Sequence, residues 1–345
     1  MRSDRFAGVE RFVQRLAIAQ AAAGHSVRVI GGDPARMRRG FTRTGILFHP
    51  SQGLASMARS ILNLGNHVDV VNAHMTDADV AAVLGVMGLR RRPAVVSTRH
   101  FTQRRGSRGP SWLYRAVEAR IDAEIAISHA VSGSIGVAST IVHSGVDPVA
   151  TTDPEAREST VLMAQRLQRE KRTDIGLRAF AASGLAGQGW QLNIAGSGPL
   201  EEELRALADA LGVSDAVRML GFRDDVPALM TRSGMLLAPC PVEGLGLTVL
   251  EAMADGLPVV AASAGGHREL LSGLDARALF APDDVADAAG KLASLADDPV
   301  GRARLGRAQR DRQRQDFSVD AQSDATISVY RTAIALRRGS RASRP

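Results

Sequence analysis

Lysine is almost absent from this chain. Only Lys171 and Lys291 stand against 41 arginines, so a lysine inside a motif draws notice. The single cysteine, Cys240, excludes an internal disulfide and any multi-cysteine metal centre. Between Pro239 and Pro241 it reads as a small core residue. Aromatic residues make up 4%, too few to interleave with cations as single-stranded nucleic acid requires, and no nucleic-acid partner is expected. No apolar run approaches the roughly 18 residues of a membrane span. Residues 1–6, MRSDRF, lack the apolar stretch of a secretory signal. These absences point to a cytoplasmic protein.

What is present suffices for two domains. The chain has 345 residues, of which 45% are hydrophobic, against about 150 residues for a typical domain. Charge is unevenly spread. Residues 1–150 hold 19 arginines and 10 acids, while residues 151–345 hold 24 basic and 26 acidic residues. Seven arginines and no acid lie between Arg90 and Arg108. Such a patch attracts phosphates, anionic headgroups or nucleic acid, or forms a solvated surface.

Short β-branched runs alternate with longer amphipathic stretches. Residues 26–30, 68–72, 94–98 and 124–127 read as strands, with helices over 8–23, 53–64, 77–87 and 111–121. After Gly145 the pattern restarts, with strands over 161–164, 191–195, 217–220, 235–238 and 259–262 and helices over 173–182, 199–211, 246–254 and 284–295. This alternation predicts two doubly wound α/β domains with parallel sheets. The expected division is an acceptor-side domain over 1–147, a donor domain over 148–317, a helix over 318–337 packing back on the first domain, and a disordered tail over 338–345. A doubly wound domain normally opens on a central strand, yet here a helix begins at once around Gly8. The sequence reads as a chain that begins late and lacks that first strand.

Chemistry concentrates between Arg166 and Glu251. The segment PCPVEGLGLTVLEAMADGLPVV, residues 239–260, reads strand end, glycine-rich loop, helix, turn, strand. Gly244 and Gly246 admit close backbone approach around Leu245. The helix start at Leu247 and Thr248 favours phosphate. Glu251, about one turn in, suits the vicinal hydroxyls of a ribose, and Glu243 in the loop suits those of a hexose. The plainer alternative is a capped helix with solvated acids. Arg166 offers a rigid fork to phosphate oxygens and Lys171 a compact charge. With two lysines among 43 cations, chance placement of one here is roughly a 5% event. Gly196 and Gly198 form a strand–helix turn, a weak signal alone. The loop Leu220–Arg223 is placed to edge a base pocket. Asp77-Ala78-Asp79 looks superficially like a metal site but reads as a helix start, and Asp224-Asp225, Asp283-Asp284 and Asp297-Asp298 as helix starts or turns. No metal and no cofactor are expected.

At these residues the sequence resembles family four of the retaining glycosyltransferases, whose fold is GT-B: two Rossmann-like domains facing across a cleft. The resemblance implies that Glu251 binds the donor ribose and that Glu243 contacts the transferred sugar beside the backbone of Gly244, Leu245 and Gly246. It matches Arg166 and Lys171 to a diphosphate clamp and Gly196 and Gly198 to a turn near the nucleotide. In the N-terminal half it matches Gly8 to a glycine near the donor phosphate, and Thr98-Arg99-His100 to a segment whose histidine faces the sugar. Residues 24–27, 127–132 and 143–147 match as well. Gln165 and Arg172 stand where glycine is common, and Ala7 replaces the first of two loop glycines.

The resemblance implies a nucleotide-sugar donor, retention without a covalent intermediate, and no metal. Arg166, Lys171 and the helix start at Thr248 would stabilise the leaving group, and His100 would orient the sugar. The basic N-terminal half suggests an anionic or lipid-linked acceptor and a peripheral location at the inner face of the membrane. Two readings compete: a nucleotide-sugar epimerase or phosphorylase on the same fold, and a nucleotide-sugar-binding protein with impaired catalysis.

Overall fold

A computed structural model describes residues 8–105, 111–150 and 152–342. They divide into two compact units, residues 1–145 with 319–345, and residues 146–318.

The N-terminal unit opens on α1 (Gly8–Ala22). There follow β1 (Arg28–Ile30), α2 (Pro34–Gly40), β2 (Leu47–His49), α3 (Leu54–Leu64), β3 (Val70–His74), α4 (Thr76–Met87), β4 (Ala94–Arg99), α5 (Ser111–Glu118), β5 (Ala123–Ala126), α6 (His129–Ile135) and β6 (Thr140–Ile141). Every pairing is parallel, but the strands form two sheets: β1 with β2, and β3-β4-β5-β6 in that order. Between β1 and β3 lies a cavity of about 490 Å³, whose lining includes Leu16, Val29, Met57, Ile61, Val71 and Ala73. Beside it α3 and α4 pack closely, because Gly85 brings them together: a Cβ there would meet Ile61 Cβ at 2.7 Å and the Ala58 carbonyl at 2.8 Å.

The second unit carries β7 (Thr160–Ala164), α7 (Thr173–Ala182), β8 (Gln191–Ala195), α8 (Glu201–Ala210), β9 (Val217–Gly221), α9 (Val226–Arg232), β10 (Met235–Ala238), α10 (Leu247–Asp255), β11 (Val259–Ala262), α11 (Gly265–Leu271), β12 (Leu279–Phe280), α12 (Val285–Ala296) and α13 (Pro299–Asp316). Its six strands run β12-β11-β10-β7-β8-β9, all parallel. β10 and β11 are buried along their whole length, as strands covered by helices on both faces must be. Chain order reverses between β7 and β10, so the carboxyl ends of these two strands flank the topological switch point, where open α/β sheets bind ligands.

The last helix, α14 (Val319–Ala342), belongs to the N-terminal unit. Val329 and Ala333 pack with Ala94, Val96 and Ile125 of β4 and β5. Arg337 donates to the Arg92 carbonyl at 3.2 Å and pairs with Asp122 at 2.8 Å. The helix runs through Ala342, and residues 343–345 of the expected tail lie outside the described residues. The acidic pairs behave as read. Asp77 and Asp79 lie in the first turn of α4, and Asp225, Asp284 and Asp298 are the N-caps of α9, α12 and α13.

Candidate donor site

The switch point of the second unit gathers the residues singled out in its sequence. The chain leaves β7 through Gln165, whose side-chain amide donates to the Lys171 carbonyl at 3.1 Å and to Thr173 Oγ1 at 2.8 Å. Gln165 thereby staples the loop that carries Arg166 and Lys171. Arg172, at the end of that loop, adopts a left-handed conformation with φ 50°. This backbone explains why glycine suits the position. Arginine occupies it while pairing with Asp283 at 2.5 Å.

Lys171 Nζ meets Glu243 Oε2 at 2.6 Å. The loops from β7 and β10 are thus tied by the two side chains that the sequence reading assigned to different parts of the donor. Burial opposes the charge on Lys171, but Glu243 outweighs it and raises the ammonium pKa. Burial likewise opposes the charge on Glu243, and Lys171 holds its carboxyl below the ordinary range. Both groups are therefore charged at neutral pH. Arg166 is exposed and reaches Glu170 at only 3.5 Å, leaving its fork turned to solvent. Cys240 is buried and its thiol meets the Glu170 carbonyl at 3.2 Å. Burial pushes that thiol up to about 11, so it is an inert core group.

Gly246, at φ 99°, precedes α10, and no side chain caps the helix. The first amides, at Leu247 and Thr248, have no intrahelical acceptor. Glu251 is half-buried one turn further along. The glycines of the β8–α8 turn have a steric reason of their own. A Cβ on Gly196 would lie 1.8 Å from the Gln165 carbonyl oxygen, and one on Gly198 would lie 2.3 Å from that of Leu167. They press this turn against the loop bearing Arg166. Phe222 is exposed beyond β9, and Arg223 beside it pairs with Asp225.

The sequence reading missed the floor of this loop. Gly266 N–H donates to the Glu243 carbonyl at 3.1 Å. A Cβ on Gly265 would lie 2.3 Å from that oxygen, and one on Gly266 would lie 2.2 Å from Leu245 Cα. Buried His267 accompanies them: its Nδ1–H donates to the Ala262 carbonyl at 3.2 Å, and its ring lies within 3.1 Å of a Cβ built on Gly246. The available signal was the Gly265-Gly266 pair between a strand and a helix.

Gly8 and His100 belong to the N-terminal unit. Gly8 is the exposed first residue of α1, and Ala7 lies outside the described residues. His100 follows β4 and is buried, with Nε2 3.1 Å from His74 Nδ1. Burial, reinforced by Arg99, pushes the His100 pKa down to about 3, so the ring is neutral. The arginine patch is partly corrected. Arg105 is buried against Asp79 at 2.9 Å, Glu118 at 3.1 Å and Glu124 at 2.7 Å, and Arg99 is buried beside Glu124. These guanidiniums face inward because neighbouring strands and helices supply the carboxylates that the local sequence lacks. Arg108 lies outside the described residues.

Both halves of the chain match known families. Residues 6–149 match the family described as Glycosyltransferase Family 4, and residues 151–312 match Glycosyl transferases group 1. A two-unit α/β fold of GT-B type with this site defines a class, and the chain belongs to glycosyltransferase family 4. It is 30% identical over 244 residues to a glycogen synthase of Mycobacterium tuberculosis, covering 68% of this chain and 58% of that protein. The chain thus spans little more than half the length of that relative. It is 28% identical over 262 residues to the lipopolysaccharide core biosynthesis mannosyltransferase LpcC of Rhizobium leguminosarum, covering 71% of this chain and 73% of the relative. Its fold is similar to that of Anabaena Alr3699/HepE in complex with UDP-glucose, with a TM-score of 0.80 at 20% identity over 96% of this chain and 98% of the other. No described helix is long and apolar enough to cross a membrane.

Proposed function

We propose that this protein transfers a hexose from a nucleotide-diphosphate sugar to a hydroxyl acceptor, with retention at the anomeric carbon and without a metal ion or other cofactor. The observation that carries the proposal is the convergence, at the carboxyl ends of β7 and β10, of Arg166, the Lys171–Glu243 pair and the uncapped start of α10. The UDP-glucose complex of the HepE neighbour and the mannosyltransferase relative support this donor class.

In this reading the ribose binds Glu251, the hexose lies by Glu243 and the backbone of residues 244–246, and the Gly196–Gly198 turn borders the nucleotide. Arg166, Lys171 and the amides near Thr248 take up the charge that grows on the diphosphate. The bond from the anomeric carbon to the diphosphate oxygen breaks. The acceptor oxygen bonds to that carbon from the same face, and its proton passes to the departing phosphate. Because Lys171 already pairs with Glu243, much of the initial attraction for diphosphate falls to Arg166 and the helix start.

Hydrolysis of UDP-glucose and GDP-mannose, followed by NMR with EDTA present, tests the proposal without requiring the acceptor. Slow release of the donor's own α-anomer is expected. Release of the β-anomer would refute retention, and dependence on added metal would refute metal independence. One rival is a nucleotide-sugar-binding protein without turnover. Tight binding with no hydrolysis or transfer would establish that rival instead.

A further inference from the structure

The floor of the Glu243 loop holds a buried histidine to which the donor reading gives no task. His267 Nδ1 lies 3.2 Å from the Ala262 carbonyl oxygen. A carbonyl oxygen only accepts, so Nδ1 carries the proton and Nε2 bears a lone pair. That lone pair has no hydrogen-bond donor among the described residues, although His267 is only 1% exposed. A buried acceptor left in this way calls for an explanation. Nε2 is turned toward Glu243: a Cβ built on Gly246 would lie 3.1 Å from Nε2 and 3.5 Å from Glu243 Cγ. The two side chains therefore border the same small space. Gly265 and Gly266 press the start of α11 against the Glu243 loop, so the backbones that carry them are held together.

Three elements surround this imidazole with charge or dipole. Glu243 faces it from the loop after β10, Lys171 from the loop after β7, and the Ala262 carbonyl from β11. Burial lowers its pKa most, Glu243 and the carbonyl oppose that, and Lys171 reinforces it. The ring is therefore neutral at neutral pH. Cys240 beside Glu243 stays a thiol, its pKa pushed up to about 11 by burial. While Lys171 sits 2.6 Å from Glu243, the carboxylate has its cation. A diphosphate brings negative charge and draws the ammonium toward itself, and a buried carboxylate that loses its cation is costly. We propose that His267 is a positioning residue for Glu243: as a donor diphosphate draws Lys171 away, His267 Nε2 takes a proton from solvent and holds Glu243 charged and in place. The proton adds to the Nε2 lone pair and makes an imidazolium, with no other bond made or broken. This inference rests on the reading that Lys171 serves the diphosphate. Donor binding is thereby coupled to proton uptake.

The test counts protons. Binding of UDP-glucose and GDP-mannose to the full chain is measured by calorimetry in buffers of different ionisation enthalpy. The esterified diphosphate of a nucleotide sugar does not ionise near neutrality, so the count belongs to the protein. Uptake should grow between about pH 8 and about pH 6, and the dissociation constant should fall by up to about tenfold per pH unit. His267→Asn keeps a donor for the Ala262 carbonyl and should bind without uptake and with a flat pH profile. Undiminished uptake in that variant would overturn the proposal, because Glu243 would then be taking the proton itself. A second arm needs no ligand: imidazole nitrogen shifts of His267 are followed against pH in the wild type and in Lys171→Met. Removing the competing cation should raise the pH of His267 protonation by about one unit or more, and an unchanged titration would refute the proposal. Should Lys171→Met fail to fold, Lys171→Gln takes its place. If neither nucleotide sugar binds, the donor reading fails, and the titration still decides whether His267 answers to Glu243.

Discussion

At the scale of residues, the Lys171–Glu243 pair ties the loops after β7 and β10 together, and in the proposed donor site Glu243 competes with a diphosphate for Lys171. Replacing Glu243 with Gln frees Lys171 for phosphate. Binding of a free nucleoside diphosphate should strengthen several-fold while donor hydrolysis slows about 100-fold, which calorimetry and initial rates would show together. Lys171→Met leaves Glu243 without its cation and should destabilise the second unit by about 1–3 kcal/mol, measured by urea unfolding. The pH dependence follows from the directions of the shifts. Glu243 is lowered, so its contribution is present above the ordinary glutamate pKa of about 4.3 and is lost as pH falls through the lower folded value. Lys171 is raised, so its contribution is complete below about 10.4 and is lost as pH rises through the higher folded value. Stability of this unit should therefore decline in both directions outside that window. A Lys171→Met variant with an unchanged acid limb would contradict the assignment.

At the scale of elements, close backbone crossings shape the site. Gly196→Ala drives a Cβ into the Gln165 carbonyl. It should cost about 1–3 kcal/mol or more and displace the Arg166 loop, weakening nucleotide binding beyond its effect on stability. In the other unit, Arg105→Met leaves Asp79 and Glu124 buried without their cation and should cost about 3–5 kcal/mol. The long elements were legible because two or more turns of helix, or a fully buried β-branched run, carry a clear period: β8, β10, β11 and α7 coincide with the spans read from sequence. The two- and three-residue strands β2, β6 and β12 and the seven-residue helices α2, α6, α9 and α11 are too short to show one. The site was legible where chemistry and spacing coincide, at Glu243, the following glycines and Glu251. It was illegible where partners are remote in sequence. Nothing local announces that Lys171 meets Glu243, that Gly266 supports Glu243, or that Arg105 is neutralised by Asp79 and Glu124.

At the scale of the whole molecule, the second unit has one continuous six-stranded sheet and the N-terminal unit has a divided one. Hydrogen exchange should therefore be fastest, among strand amides, in β1 and β2, and slowest in β7, β10 and β11. Equal protection across these strands would contradict that ranking. The uneven charge of the chain makes binding to vesicles containing anionic lipid the expected sign of a membrane-borne acceptor, and flotation independent of lipid charge would count against it. The central claim is that the switch point of the second unit binds a nucleotide-sugar donor. Thermal unfolding of the full chain with UDP, GDP and their monophosphates tests it most directly. One diphosphate, at 100 times its dissociation constant, should stabilise the second unit by about 2.7 kcal/mol, its monophosphate should do less, and Arg166→Ala with Lys171→Ala should abolish the difference. Failure of every nucleotide to shift the transition, or an equal shift in the double variant, would contradict the account.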